Sequence, residues 1–150
     1  MYYKRNNKRL SVSGRGDYMS TSDFIIQYYT NLDACRKFFY DIKWPTGYYC
    51  EKCGCTHYYF MKTKNCYRCA NCKHDERLLS NTIFQDNKLP LNVLLYGLFL
   101  IFTANNGISS MELSKELKVN YKTACLLQTK ARILMKNSNS KRFLDSDFYE

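Results

Sequence analysis

The chain has 150 residues, about one ordinary domain, and its 45% apolar and 16% aromatic content excludes wholesale disorder. With 23 Lys and Arg against 13 Asp and Glu, the net charge is +10, which suits a polyanionic partner, either nucleic acid or an acidic membrane surface. Two His and 13 acids leave few candidates for acid–base chemistry, and a large catalytic domain beside a binding module is not expected in 150 residues.

Residues 1–20 carry Lys4, Arg5, Lys8, Arg9 and Arg15 against Asp17 alone, among Gly, Ser and Asn. This composition predicts a disordered basic arm, read as a solvated tail in preference to a phosphate-binding one. No apolar stretch follows Met1 to Arg9, so a secretory signal is not expected. Eight Cys are therefore read as thiolates or buried thiols, not disulfides.

A helical segment is expected over 21–47. Phe24, Tyr28, Leu32, Cys35, Phe38 or Phe39, and Ile42 recur at three- and four-residue intervals, which predicts one or two short amphipathic helices with Cys35 as a core thiol. Trp44-Pro45 ends the pattern, because the residue before proline avoids helical backbone.

Over 48–80 the character changes. Six of the eight Cys fall here among short aromatic runs, and two short hairpins are predicted. Cys50-Glu-Lys-Cys53-Gly54 and Cys69-Ala-Asn-Cys72 are two Cys-x-x-Cys pairs separated by fifteen residues, enough for a hairpin. Each pair can bend into a knuckle, and two facing knuckles supply the four-thiolate shell of a closed structural zinc site. Cys66 and Cys69 could instead form the second pair, and Cys55 could intrude on the first. Cys69 and Cys72 are preferred because Asn65 to Arg68 then reads as a strand entering the knuckle. His57 and His74 are read as solvated. A ribbon with so small a core should draw most of its folding free energy from Zn2+, roughly 10 kcal/mol or more.

The region 88–136 reads as helical. Leu91 to Phe102 is apolar almost all round, so it is buried or forms an interface. We expect it under the following helices and against the ribbon, with a self-association surface as the alternative. Its length as a helix, about 18 Å, is too short to cross a bilayer. Pro90 suits a first helical position, and Asn105-Asn106-Gly107 supplies a stop. Ser109 and Glu112 form a capping box, Lys118-Val119-Asn120 a turn, and Asn120 caps a helix from Tyr121 to Met135. Helix, tight turn and longer helix make a helix-turn-helix. Ala124, Leu127, Ala131 and Leu134 form its inward stripe. Lys118, Lys122, Lys130, Arg132, Lys136, Lys141 and Arg142 carry seven positive charges with no acid between them. Tyr121, Lys122, Thr129, Lys130 and Arg132 are the candidate DNA contacts, with Tyr121 and Lys122 in the leading turn that enters a major groove. The fold class is thus α+β, a zinc ribbon combined with a helix-turn-helix, ahead of a 137–150 linker.

Several motifs occur in order: Asp33-Ala34-Cys35, Trp44-Pro45-x-Gly47, the two Cys-x-x-Cys pairs, Thr82-Ile83-Phe84 and Lys88-Leu89-Pro90-Leu91. Asn106-Gly107-Ile108-Ser109, Glu116-Leu117 and Tyr121-Lys122-Thr123-Ala124 follow. Together, over about residues 24–136, they resemble the N-terminal region of Merlin-type (ISXO-like) insertion-sequence transposases. The resemblance implies zinc ligands at Cys50, Cys53, Cys69 and Cys72, and double-stranded DNA, the terminal inverted repeats, as partner. Asn81, where the family usually has Gly, and the surplus Cys55 and Cys66 are departures. Family members continue into an RNase H-like domain whose carboxylates hold two divalent metals. The expectation here is a chain that stops at that domain's lead-in, with Asp145, Asp147 and Glu150 as an acidic tail, and no strand transfer by itself. A separately encoded catalytic chain is a conceivable partner. The rival reading is a zinc-ribbon transcription regulator or adaptor that acts through protein contacts. A prokaryotic host implies the cytoplasm and a eukaryotic one the nucleus; no membrane association is expected.

Overall fold

Ser20 starts the described chain with a reciprocal cap: its hydroxyl accepts from the Asp23 amide, and the Asp23 side chain reaches back to the Ser20 backbone. The computed structural model describes residues 20–136. The rest of the predicted arm, and the 137–150 stretch with Asp145, Asp147 and Glu150, lie outside the described residues. Helix α1 (Thr21–Phe24) runs into one π-helical turn, Ile25–Tyr29. Asn31 then caps α2 (Leu32–Lys43), its Oδ1 accepting from the Asp33 and Ala34 amides. The spacing read from the sequence buries Phe24, Tyr28, Cys35 and Phe39, while Leu32 is left exposed. Burial pushes the Cys35 thiol up to about 11, so it is a core thiol. Trp44 leaves helical backbone ahead of Pro45, as expected.

Three antiparallel strands follow in the order β1 (Tyr58–Met61), β2 (Cys66–Cys69) and β3 (Asp75–Glu76). Tyr58 faces Cys69, Phe60 faces Tyr67, and Tyr67 faces Glu76. Period-two alternation therefore puts Tyr58, Phe60, Tyr67, Cys69 and Glu76 on one side of the sheet. That side meets rings from α2 and its C-terminal turn. Tyr40 and Trp44 lie 5.6 and 5.3 Å from Tyr67, and Tyr48 lies 4.8 Å from Tyr58, centroid to centroid. On the other side Arg68 holds Asp75 through two nitrogens.

Between sheet and helices, Asn81 has φ 58° and its amide donates to Glu51. A left-handed position tolerates Gly or Asn best, so Asn81 suits its place.

Helix α3 (Leu91–Thr103) buries every residue from Leu94 to Phe99, as its all-round apolar sequence requires. Pro90 stands at its cap, one position before the first turn. Its chief neighbours are the π turn, α2, α4 and α5, not the sheet as expected. The reason is that α2 and Tyr48 already fill the inner face of the sheet with rings. A Cβ added to Gly97 would stand 2.6 Å from Leu127 Cδ2 and 2.9 Å from Leu117 Cδ1, so glycine permits the close approach.

Helix α4 (Ser110–Leu117) starts at the predicted Ser109–Glu112 capping box and ends at Lys118, whose φ is 53°. Helix α5 (Tyr121–Lys136) follows, with Asn120 Oδ1 accepting from the Lys122 amide. Ala124, Leu127 and Ala131 are buried as the inward stripe, and Leu134 is half-buried. Buried Gln128 ties the two helices, accepting from Ser110 Oγ and donating to the Ile108 carbonyl. One buried cluster runs from Phe24 to Ala131 in this α+β fold. No described helix is long and apolar enough to cross a membrane.

Candidate metal centre and basic helical face

Two knuckles of the same design build the site. In the first, the Cys50 amide donates to the Cys55 carbonyl and the Gly54 amide to the Cys50 carbonyl. In the second, the Cys69 amide donates to the His74 carbonyl, and Ala70 donates to His57 at the entry to β1. The residue after the last cysteine of each knuckle is left-handed: Gly54 at φ 71° and Lys73 at φ 60°. Lys73 offsets that strain locally, its ammonium donating to the Ala70 carbonyl at 2.9 Å. The knuckles interlock, with Cys50 Sγ 3.5 Å from Cys72 Sγ and Cys53 Sγ 3.4 Å from Cys69 Sγ. All four sulfurs lie within 4.8 Å of one another, with Cys50 and Cys69 buried and Cys53 and Cys72 exposed.

Residues 31–75 match the family model of the transposase zinc-ribbon domain. No curated protein and no solved structure matches the chain. The matched stretch takes in α2 together with the sheet. A zinc ribbon of this kind is a non-catalytic region of a transposase.

Four close sulfurs fit Zn2+. Zn–S bonds of about 2.3 Å in a tetrahedron ask for sulfurs about 3.8 Å apart, and the interlocked pairs are already near that spacing. A divalent cation would also let all four thiols ionise together. The Cys55 backbone amide and the neighbouring thiols of Cys69, Cys72 and Cys50 hold the Cys53 thiol down to about 6. The His74 amide pulls Cys72 down too, but desolvation and the other three sulfurs drive it up to about 12. Zinc binding therefore displaces protons, and a closed four-thiolate shell leaves no position open for water or phosphate.

The surplus cysteines stand outside this group. Cys66 is buried within β2 opposite Met61, and the Cys55 sulfur accepts from the His57 amide. Neither His57 nor His74 joins the four sulfurs among the described residues.

Behind the sulfurs lies a group that sequence reasoning missed. Glu76, 1% exposed, meets Lys43 Nζ at 2.8 Å. The Lys43 ammonium also donates to the Arg77 and Ser80 carbonyls at 2.8 and 3.0 Å and lies 5.1 Å from the Trp44 ring centre. Beside it, the Tyr48 hydroxyl is buried with no hydrogen-bond partner. Lys and Glu read as solvated charges in a sequence, and the only hint was the tyrosine-rich composition around the knuckles.

On α5, Tyr121, Lys122, Leu126, Thr129 and Arg132 are exposed. Tyr121 and Leu126 are half uncovered, at 50% and 56%. Thr129 donates back to the Cys125 carbonyl, which leaves its lone pairs outward. Of the five candidate DNA contacts, Lys130 is the one not exposed. It is half-buried on the helix flank, with Nζ 5.8 Å from the centre of the Phe84 ring.

Proposed function

We propose that this chain is the DNA-recognition region of a Merlin-type (ISXO-like) insertion-sequence transposase, which binds transposon terminal inverted repeats and transfers no strand by itself. One observation carries the proposal: beside a transposase zinc ribbon stands a capped helix–turn–helix whose second helix keeps Tyr121, Lys122, Thr129 and Arg132 exposed. In this reading Cys50, Cys53, Cys69 and Cys72 hold a structural Zn2+ that shapes the ribbon and takes no part in chemistry. The first turn of α5 enters the major groove. Tyr121 reaches base edges there, and Lys122 and Arg132 meet phosphates on either side. Lys130, on the flank beside Phe84, takes a smaller share.

The division into a helical segment at 21–47, a ribbon at 48–80 and a helix-turn-helix region at 88–136 is part of this proposal. So is the location of the protein with its DNA, in a prokaryotic cytoplasm or a eukaryotic nucleus. Strand transfer would require carboxylates gathered from separate elements to hold two metal ions about 4 Å apart, and we place that chemistry in a catalytic chain or domain outside this region.

The test is binding to a duplex carrying the element's inverted repeat and to a scrambled duplex of equal length, across a salt series. The expected result is preference for the repeat, with affinity that falls steeply as salt rises. Lys122→Ala and Arg132→Ala should each flatten the salt slope by about one unit, while Tyr121→Ala should erode the preference. Equal affinity for both duplexes, independent of salt, would sink the proposal and favour an adaptor that works through protein contacts.

A further inference from the structure

The Tyr48 ring is clamped on two sides, 5.0 Å from Trp44 and 4.8 Å from Tyr58, and its backbone amide donates to the Tyr40 hydroxyl at 3.1 Å. These three restraints fix where its own hydroxyl points. That hydroxyl is fully buried and unpartnered. The ionisable groups around it are Cys50, Cys69 and Glu76. A buried O–H without an acceptor is costly, so this hydroxyl calls for one.

Two acceptors compete. Glu76 has its charge answered by the Lys43 ammonium at 2.8 Å. A zinc ion with four thiolates carries a net charge of −2, and its sulfurs call for donors. Cys53 and Cys72, at the surface, meet the Cys55 and His74 backbone amides. Cys50 and Cys69, the buried pair, are the two that face Tyr48. Outer donors of this kind orient and tune metal ligands and are worth about 10–100-fold in metal affinity.

We propose that Tyr48 is a positioning residue of the zinc centre, donating its hydroxyl proton to the Cys50 thiolate when the metal is bound. A phenol carries its own O–H donor at neutral pH, so the bond needs only the thiolate as acceptor. The hydrogen bond joins the metal site to the aromatic cluster under α2. Through Tyr48 the state of the metal acts directly on the packing of Trp44, Tyr40 and Tyr58. The inference rests on the four-thiolate zinc reading.

Cobalt(II) in place of zinc, in the full chain, provides the test. A thiolate that accepts a hydrogen bond gives up electrons less readily, so removing the donor should lower the energy of the sulfur-to-cobalt charge-transfer band. Tyr48→Phe keeps the ring and removes only the oxygen. The expected result is a tetrahedral cobalt spectrum whose charge-transfer band moves to lower energy, with zinc held about tenfold more weakly in competition with a chelator. Glu76→Gln should leave that band in place and lower the unfolding midpoint. An unmoved band with unchanged affinity in Tyr48→Phe overturns the proposal and assigns the hydroxyl to Glu76. A Tyr48→Phe chain that assembles no four-sulfur centre in excess cobalt also overturns it, because an outer donor tunes such a site and does not create it. No tetrahedral cobalt in the unsubstituted chain would overturn the zinc reading as well.

Discussion

Under α2 the ribbon is packed by rings: Tyr40, Trp44, Tyr48, Tyr58, Phe60 and Tyr67 lie edge on or tilted to one another around a buried Lys43–Glu76 pair. Where α3, α4 and α5 meet, the material is different. Leu94, Leu98, Leu113, Leu117, Ala124 and Leu127 interlock, and Gly97 lets α3 come within a methyl's width of its neighbours. Most of those rings carry a polar hydroxyl, and the sheet beneath them has ten paired or partly paired residues in three short strands. So small a sheet buries too little apolar area to fold alone, and ligand bonds must supply the difference. The helical region buries mostly aliphatic surface, and its buried Gln128 finds partners within the region itself. The two ends of the chain thus share one core but draw their stability from different sources.

Metal removal should separate them most sharply. A strong chelator is expected to cost the ribbon roughly 10 kcal/mol and abolish its near-ultraviolet tyrosine signal, while the far-ultraviolet helix signal from α3–α5 largely survives. Loss of both signals in one transition would break the comparison. Cys69→Ser should do the same as chelation, and Cys55→Ser and Cys66→Ser should retain one zinc per chain by elemental analysis.

Next in size is the buried pair. Lys43→Met strands the Glu76 carboxylate among aromatic rings, and urea unfolding of the zinc-loaded protein should show a loss of about 3–5 kcal/mol. Adding Glu76→Leu should restore most of it, because removing both charges also removes both desolvation costs.

In the helical region Leu113→Ala should cost about 2–5 kcal/mol in the same measurement and leave zinc affinity unchanged. A fall in zinc affinity there would mean that the two ends are more tightly coupled than their packing suggests.

The smallest effect sharpens the close approach at Gly97. Gly97→Ala gains about 1 kcal/mol of helix propensity but must push aside the tips of Leu117 and Leu127, which costs about 1–3 kcal/mol. Thermal unfolding should show a small net loss, and a net gain would show that those leucine tips yield freely.

Features set by neighbours along the chain were legible in the sequence. Cys-x-x-Cys spacing bends a knuckle wherever it occurs, and Ser109–Glu112 and Asn120 cap helices through bonds that span two or three residues. Reading Asn65 to Arg68 as a strand pointed to Cys69 and Cys72, and their sulfurs do gather with those of Cys50 and Cys53, while Cys66 stays within β2. The inward stripe of α5 followed from helical period alone. Tertiary structure decided the rest. It put α3 against helices instead of the sheet, since α2 had already taken the sheet's inner face. It set Lys130 beside Phe84, away from the other basic candidates on α5. It also buried Glu76, Lys43 and the Tyr48 hydroxyl behind the sulfurs. Composition and spacing determine which local shapes a chain can take. Whether a charge or a hydroxyl meets water depends on which distant element comes to cover it, and that is decided only when the core closes.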